Sequence, residues 1–238
     1  MFATIATELR RSDEPAGDSL RIMRIHQPCR KTDALTLLEL IVVIAAMLVL
    51  IGLLLPALGR ARARSSRISC PNCLKQVGLA ARIFANDNEE KFPWQVSTNA
   101  GGSQEYRNMQ NSAFRHFQAM SNELSTPKVL LCPEDKERTT AINWLIGNQN
   151  VSYFVGLDAS ETNAKSLLSG DRYLTAVRIP TNGFLELTSN DNVRWTRKYH
   201  DDHGYLLLGD GSVGQVDSAG LQTAIRESGV ATVRLAFP

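Results

Sequence analysis

Cysteine and histidine side chains are the residues of this sequence best suited to bind a metal ion or to form a covalent cross-link. Cys70 and Cys73 have the C-x-x-C spacing that zinc ligands and redox-active thiols share. A structural zinc site has four ligands, so Cys132 and either His200 or His203 would have to join this pair from distant parts of the chain. A redox role would need a thioredoxin-like βαβ unit, which the sequence does not predict here. A disulfide from Cys132 to Cys70 or Cys73, in an oxidising compartment, and free thiols are the remaining alternatives.

The sequence contains none of the short motifs that commonly identify an enzyme. It has no G-x-S-x-G nucleophile turn, no glycine-rich phosphate loop and no H-E-x-x-H metal motif. The formal net charge is +2, and no basic cluster follows Pro71, which argues against a nucleic-acid-binding domain. We therefore predict a protein that is neither an enzyme nor a nucleic-acid-binding protein and that requires no cofactor.

A long apolar segment near the N-terminus precedes all of these residues. Between Leu35 and Leu58 the only charged residue is Glu39, and the twenty residues from Leu40 to Gly59 carry no charge. A helix of that length spans about 30 Å, which matches the hydrocarbon core of a bilayer. A carboxylate inside such a segment is costly unless it is neutralised, so Glu39 is predicted to be functional. The segment is longer than the core of a secretory signal and lacks the small-residue cleavage site that follows one, so we expect it to be retained.

The sequence that flanks the apolar segment resembles the processing signal of type IV pilins and type II secretion pseudopilins. A basic leader, RKTDA, ends at Ala34, and LTLLE begins at Leu35. The resemblance implies cleavage by a prepilin peptidase after Ala34, methylation of the new N-terminus at Leu35, and pairing of Glu39 with the terminal amine of a neighbouring subunit. Pro56 becomes mature residue 22 (56 minus 34), where pilins commonly carry proline. Met23 is the expected translation start.

The cysteine motif also takes part in this resemblance. CPNCLKQVGLA, which begins at Cys70, is similar to a segment found in a large group of bacterial prepilin-type proteins. In that group the position of Cys73 is usually Asn. The resemblance therefore implies that Cys132 forms its disulfide with Cys70.

A third match lies near the C-terminus, where His200, nine intervening residues, Asp210 and Gly211 resemble the H-x9-DG signature of the same group. We expect His200 to bond a backbone group and Asp210 to set a hairpin turn with Gly211. Major pseudopilins bind calcium in an acidic C-terminal loop, so Asp201, Asp202 and Asp210 are candidate calcium ligands. Solvated turn carboxylates are the commoner alternative, and our primary expectation is that no metal is bound.

The sequence after the apolar segment predicts an α+β domain. Ser69–Asp87 is expected to form an amphipathic helix, with a kink or restart near Pro71 and an apolar face made of Leu74, Val77, Ala81 and Phe84. The other predicted elements are a short helix over Phe114–Leu124, strands over Lys128–Cys132, Ser152–Leu157, Phe184–Thr188, Tyr205–Leu208 and Ser212–Val216, and a helix over Ser218–Glu227 with Ser218 as its N-cap.

These expectations combine into a pilin-like α+β architecture, in which a long N-terminal transmembrane helix leads into a small antiparallel β-sheet head. The predicted regions are a leader at 1–34, a transmembrane and filament-core helix at 35–59, its extramembrane continuation at 60–90, and the head at 91–238.

The predicted function is that of a structural subunit of a type II secretion or type IV pilus-type filament. The implied partners are the prepilin peptidase, other pilin-like subunits, and an inner-membrane assembly platform with its ATPase. The resemblance implies a single pass through the inner membrane, with the N-terminus cytoplasmic, the head periplasmic, and an extracytoplasmic filament after assembly. The alternative is a single-span, membrane-anchored exported protein whose outer domain binds a ligand or metal without polymerising.

Overall fold

The computed structural model describes residues 36–176, 183–196, 200 and 202–238, and the chain divides into two units, Met1–Ile51 and Gly52–Pro238. The longest element is helix α1, Leu37–Asp87, which contains Pro56 and Pro71 within its length. The helix continues through Pro71, so it does not restart there, and the kink that was the other expectation at this residue stays a prediction. The expected cleavage junction at Ala34 and Leu35 lies outside the described residues.

Helix α1 begins with a reciprocal capping arrangement. The backbone N–H and the hydroxyl of Thr36 each donate to Oε2 of Glu39 at 2.9 Å, and the Glu39 N–H lies 3.3 Å from Oγ1 of Thr36. A Thr-x-x-Glu pair of this kind satisfies backbone donors that the first turn of a helix leaves without partners. The single carboxylate of the apolar segment therefore also stabilises the start of the helix.

The first half of α1 has the character of a membrane span. Among the described residues, one helical stretch, Leu37–Ala61, is long and apolar enough to cross a bilayer, with a mean hydropathy of 3.0. None of its most apolar window is buried by the rest of the protein. This half of the helix accordingly exposes leucine, isoleucine and valine around its whole circumference.

The second half of α1 is amphipathic, as predicted. Leu74, Val77, Ala81 and Phe84 are all buried, and each is at most 5% exposed. Spacings of three and four residues place these side chains on one face of the helix, and that face packs into the larger of two hydrophobic clusters.

The head contains an antiparallel sheet of six strands in the order β4-β8-β1-β2-β6-β7 and a separate pair, β3 with β5. The strands are β1 Tyr153–Gly156, β2 Leu167–Asp171, β3 Leu174–Thr175, β4 Phe184–Thr188, β5 Arg194–Trp195, β6 His203–Leu208, β7 Val213–Asp217 and β8 Thr232–Ala236. The shorter helices are α2 Ala113–Ala119, α3 Ser121–Leu124 and α4 Ser218–Glu227. Single 3-10 turns occur at Pro93–Gln95, Thr98–Ala100, Gln104–Tyr106, Pro127–Leu130 and Asn148–Asn150.

Side chains along each strand point alternately to the two faces of the sheet, so the hydrophobic core has one part on each face. In β1, Tyr153 and Val155 join the cluster that contains the second half of α1, whereas Phe154 joins the cluster that contains Leu221 and Ile225 of α4. The head is therefore a three-layer arrangement of helix, sheet and helix. Both faces of the central strands are buried, which positions side chains from the sheet directly against α1.

The C-terminal hairpin agrees with the sequence prediction. Strands β6 and β7 pair in antiparallel register, from His203 opposite Asp217 to Leu207 opposite Val213. Gly211 has φ of 83° in the connecting turn, and Oδ1 of Asp210 accepts the backbone N–H of residue 212 at 2.8 Å. Positive φ favours glycine at this turn, and the Asp side chain stabilises it.

Two local predictions are wrong, for reasons that are visible in the hydrogen bonding. The predicted strand over Lys128–Cys132 is largely the 3-10 turn Pro127–Leu130, because proline at its first position and Thr126 as the capping residue favour a helical start. The N-cap of α4 is Asp217 and not Ser218, since the Asp217 carboxylate accepts the N–H of Gly220 at 2.7 Å.

Candidate metal centre

Four potential metal ligands meet where the second half of α1 packs on the sheet. We call them the Cys–Asp–His cluster, and its members are Cys70, Cys132, Asp171 and His200. Each comes from a different part of the chain. Cys70 lies in α1, Cys132 follows the 3-10 turn Pro127–Leu130, Asp171 is the last residue of β2, and His200 precedes β6. One donor atom from each residue lies within 4.8 Å of all the others.

Three distances between donor atoms of the cluster are equal. The Cys132 sulfur is 3.6 Å from Nε2 of His200, and the Cys70 sulfur is 3.6 Å from Oδ1 of Asp171. Nε2 of His200 is also 3.6 Å from Oδ2 of Asp171. The two sulfurs are closer, at 2.8 Å.

The cluster is shielded from water. Cys70 is 0% exposed, and Cys132 and Asp171 are each 3% exposed. The His200 side chain is 6% exposed, and its ring lies edge-on to Tyr205 with the ring centroids 5.4 Å apart. Ionised groups are costly in such a setting unless they are paired, so the protonation of these four side chains is strongly coupled.

Hydrogen-bond donors surround the acidic members of the cluster. The backbone N–H of Tyr205 donates to Oδ2 of Asp171 at 2.8 Å, and the hydroxyl of Tyr153 lies 3.7 Å from the Cys70 sulfur. A backbone hydrogen bond from Glu134 stabilises the thiolate of Cys132. Each of the three acidic side chains therefore has a neighbour that can stabilise its negative charge.

The pKa values reflect this crowding. Burial, followed by repulsion from Cys132, raises the pKa of Asp171 to about 7. Hydrogen bonding between the two thiols, with support from His200, lowers the pKa of Cys132 to about 6, and the same interaction together with burial raises the pKa of Cys70. Burial opposes charge on His200, but its contacts with Cys132 and Asp171 outweigh that effect and raise its pKa. The shifts thus favour a neutral Cys70 and a thiolate at Cys132 beside the imidazolium form of His200.

This donor set permits three kinds of chemistry: binding of a cation, formation of a disulfide, and a thiolate–imidazolium pair. The structure brings together Cys70 and Cys132, the pair for which a disulfide was predicted, but both are free thiols. Their 2.8 Å separation exceeds the S–S bond length of about 2.0 Å, so the disulfide remains a prediction.

The other predicted site residues have separate positions. Cys73 is partly buried against the core cluster but is not a member of the Cys–Asp–His cluster. His203 pairs with Asp217 in the β6–β7 register. Among the described residues, the grouping of potential ligands includes neither Asp202 nor Asp210. Asp201 lies outside the described residues.

Sequence reasoning identified three of the four residues and missed Asp171. It placed His200 near a backbone group, whereas the described contacts of this side chain are with Cys132, Asp171 and Tyr205. A signal for Asp171 was present: an acid at the end of the otherwise uncharged segment LLSGD is unexpected in a strand whose residues are all buried.

Comparisons with known proteins do not identify this chain, since no family model, no curated protein and no solved structure matches it.

Proposed function

We propose that this protein is a structural subunit of a pilin-like filament of the type II secretion or type IV pilus kind, anchored in the inner membrane before assembly. The observation that carries the proposal is the first half of α1, a fully exposed apolar helix with a single carboxylate in its first turn. The sequence resemblance at the leader and at the H-x9-DG signature supports the same function.

The exposed apolar surface of α1 requires a partner. Sixteen large apolar side chains between Leu37 and Leu58 are exposed, with exposed fractions from 49% to 76%. Leaving them in water would cost on the order of 20 kcal/mol or more, at about 1.5–3 kcal/mol for each fully exposed side chain. Lipid before assembly, and the helices of other subunits after it, are the environments that the proposed function supplies.

In this proposal Glu39 has a second role in addition to capping α1, which is to pair with a charge on a neighbouring subunit. The capping box with Thr36 satisfies acceptor positions of the carboxylate, but its charge remains in an apolar environment. Cleavage after Ala34 would create a terminal amine four residues away, at Leu35. In the proposed filament, the amine of one subunit pairs with the Glu39 carboxylate of the next, which neutralises both charges and sets their axial register.

The proposed partners follow from this scheme. A prepilin peptidase releases the leader, other pilin-like subunits pack against the apolar half of α1, and an assembly platform with its ATPase extracts subunits from the membrane. The N-terminus is proposed to be cytoplasmic and the head periplasmic. Pro56, within the apolar half, lacks a backbone N–H, which loosens the helix at a point where subunits are proposed to pack.

The decisive experiment separates the charge of Glu39 from its capping role. Glu39→Gln retains a side chain that can complete the capping box but removes the charge, whereas Glu39→Ala removes both. We expect both variants to reach the membrane, and both to incorporate into sheared filaments at less than about one tenth of the wild-type level, since a broken buried ion pair costs about 3–5 kcal/mol. Thr36→Val is the matched control, because it weakens the cap and leaves the charge in place.

Two outcomes would contradict the proposal. Wild-type assembly by Glu39→Gln would limit this residue to helix capping. Mass spectrometry of the mature N-terminus provides the second check, since the proposal requires a methylated Leu35 and an intact leader would rule it out.

The second candidate function is a membrane-anchored exported protein that binds a ligand or metal without polymerising. The Cys–Asp–His cluster favours it, because a buried set of four potential metal ligands lies outside the proposed filament-core helix, in the part of the chain that would bind a ligand or metal. Chemical cross-linking in membranes discriminates between the two functions. Ladders of cross-linked subunits support the filament, and an exclusively monomeric product supports the alternative.

A further inference from the structure

We propose that the Cys–Asp–His cluster binds one Zn²⁺ ion, which holds the second half of α1 to the sheet of the head. This inference does not depend on filament assembly, because all four members of the cluster lie within the unit Gly52–Pro238.

The distances fit tetrahedral zinc. Zinc–ligand bonds of about 2.3 Å to sulfur and about 2.0–2.2 Å to nitrogen and oxygen place the donors of a tetrahedron about 3.4–3.6 Å apart for the mixed pairs and about 3.8 Å apart for the two sulfurs. Three of the five mixed pairs in the cluster are 3.6 Å apart, and Asp171 takes part through Oδ1 toward Cys70 and through Oδ2 toward His200. The 2.8 Å between the sulfurs is about 1 Å too short. Zinc binding would therefore move the two sulfurs about 1 Å farther apart.

The donor types select among metals. Two thiolates and an imidazole are ligands that zinc prefers, and a carboxylate completes many zinc sites. Calcium and magnesium require several oxygen ligands, and the cluster provides one carboxylate. Four protein ligands would fill a zinc tetrahedron, which is typical of structural sites, whereas catalytic zinc keeps one position for water.

The surroundings fit a metal better than a disulfide. Without a cation, burial keeps Cys70 and Asp171 protonated more readily, and a divalent ion at the centre would stabilise all three acidic groups in their anionic, metal-binding forms. The donors from Tyr205, Tyr153 and Glu134 stabilise anionic ligands, as outer hydrogen bonds do in metal sites. A disulfide would be uncharged and would use neither these donors nor the convergence of Asp171 and His200.

A cavity adjoins one member of the cluster. It has a volume of about 200 Å³ and is lined by Arg67, His200, His203, Tyr205 and Gln215. The bound ion would connect parts of the chain that are far apart in sequence, and binding free energy at such a site adds directly to folding stability.

The test measures zinc in the purified full-length protein, solubilised in detergent and isolated with a tag that does not bind metal. We expect one zinc per chain in the wild type and in Cys73→Ser, which is the matched control because Cys73 lies one helical turn from Cys70 outside the cluster. Loss of a partner that only orients a ligand costs about 10–100-fold in metal affinity, so Cys132→Ser, His200→Ala and Asp171→Asn, which each remove or weaken a direct ligand, should each lower the affinity for zinc by at least about 100-fold.

A second measurement does not depend on how well the variants fold. Wild-type protein loaded with Co²⁺ should show thiolate-to-cobalt charge-transfer absorption and the intense visible bands of tetrahedral cobalt. Weak octahedral bands, zinc that is retained in every variant, or the absence of zinc and of cobalt binding would each overturn the proposal. A Cys70–Cys132 disulfide, found by mass spectrometry of protein taken directly from the cell envelope, would also overturn it.

Discussion

At the scale of single residues, His116 shows how burial alone can make the head sensitive to pH. The residue is 0% exposed; Nδ1 bonds the hydroxyl of Ser103 at 2.8 Å, and Nε2 has no hydrogen-bond partner among the described residues. A protonated ring would need a partner for each N–H, so the neutral form is favoured. Burial, with a smaller contribution from the positive charge of Arg107, lowers the pKa of His116 to about 4.

This lowered pKa gives a signed prediction. Between the unfolded pKa of about 6.5 and the folded pKa of about 4, the unfolded chain binds the proton more tightly, so stability falls as the pH falls through that window. We expect His116 to contribute about 2 kcal/mol of acid destabilisation between near pH 7.5 and near pH 4.5. The measurement is the free energy of urea unfolding of wild type and His116→Gln in detergent, at both pH values. The difference between the two pH values should be about 2 kcal/mol smaller in the variant than in wild type. Equal pH dependence in the two proteins would contradict the role assigned to His116, because all other titrating groups are common to both.

The candidate site also shows the limit of prediction at the residue scale. C-x-x-C spacing drew attention to Cys70 and Cys73, which are one helical turn apart. Because α1 packs its apolar face on the sheet, Cys70 is fully buried there and Cys73 remains partly exposed. The ligands that meet Cys70 come from β2 and from the segments that contain Cys132 and His200, and only the tertiary fold determines that they meet.

At the scale of elements, prediction succeeded where the apolar periodicity was strong. The amphipathic face of α1, strand β4 over Phe184–Thr188 and the hairpin at Asp210 and Gly211 all agree with the structure. Strand β2 was missed because LLSGD carries serine, glycine and aspartate, which are poor strand formers, and its burial comes from neighbours on both sides. Strand β8 was missed although it pairs with both β1 and β4.

The close packing of β1 against β2 yields a prediction for an element. A Cβ atom at Gly156 would lie 1.8 Å from the backbone carbonyl oxygen of Leu167, so alanine there must force two central strands apart. We expect Gly156→Ala to destabilise the protein by about 2–3 kcal/mol, as overpacking in a core does. Gly214→Ala in β7 is the matched control, because nothing lies within 4 Å of its Cβ position and the change should be neutral or stabilising by up to about 1 kcal/mol.

Thermal melts of the two glycine variants, followed by circular dichroism, provide the measurement. Melting temperatures that fall equally in both variants would contradict the prediction, because only the alanine at position 156 would meet the carbonyl oxygen of Leu167.

At the scale of the whole molecule, α1 combines two kinds of surface in one continuous helix. From Leu37 to Ala61 it is exposed and almost entirely apolar, and from Cys70 onward it is buried on one face only. Exposed apolar residues occur in both halves, since Leu79 is 62% exposed and Ile83 is 42% exposed. The candidate membrane span therefore differs from the rest of α1 in the length of its uninterrupted apolar run and not in exposure alone.

That distinction leads to a prediction with a matched control on the same helix. Leu50→Lys with Leu54→Lys places two charges, one helical turn apart, in the apolar half, where each lysine costs about 2.5–3.5 kcal/mol near the middle of a membrane helix. Leu79→Lys with Ile83→Lys places the same charges at the same spacing on the exposed face of the head. Alkaline extraction of membranes should release a much larger fraction of the first variant than of wild type, and the second should remain with the membrane. If both double variants were released to the same extent, membrane attachment would depend on the total charge of α1 and not on its apolar run. A helix that spans the bilayer would then no longer account for the exposed apolar surface between Leu37 and Ala61.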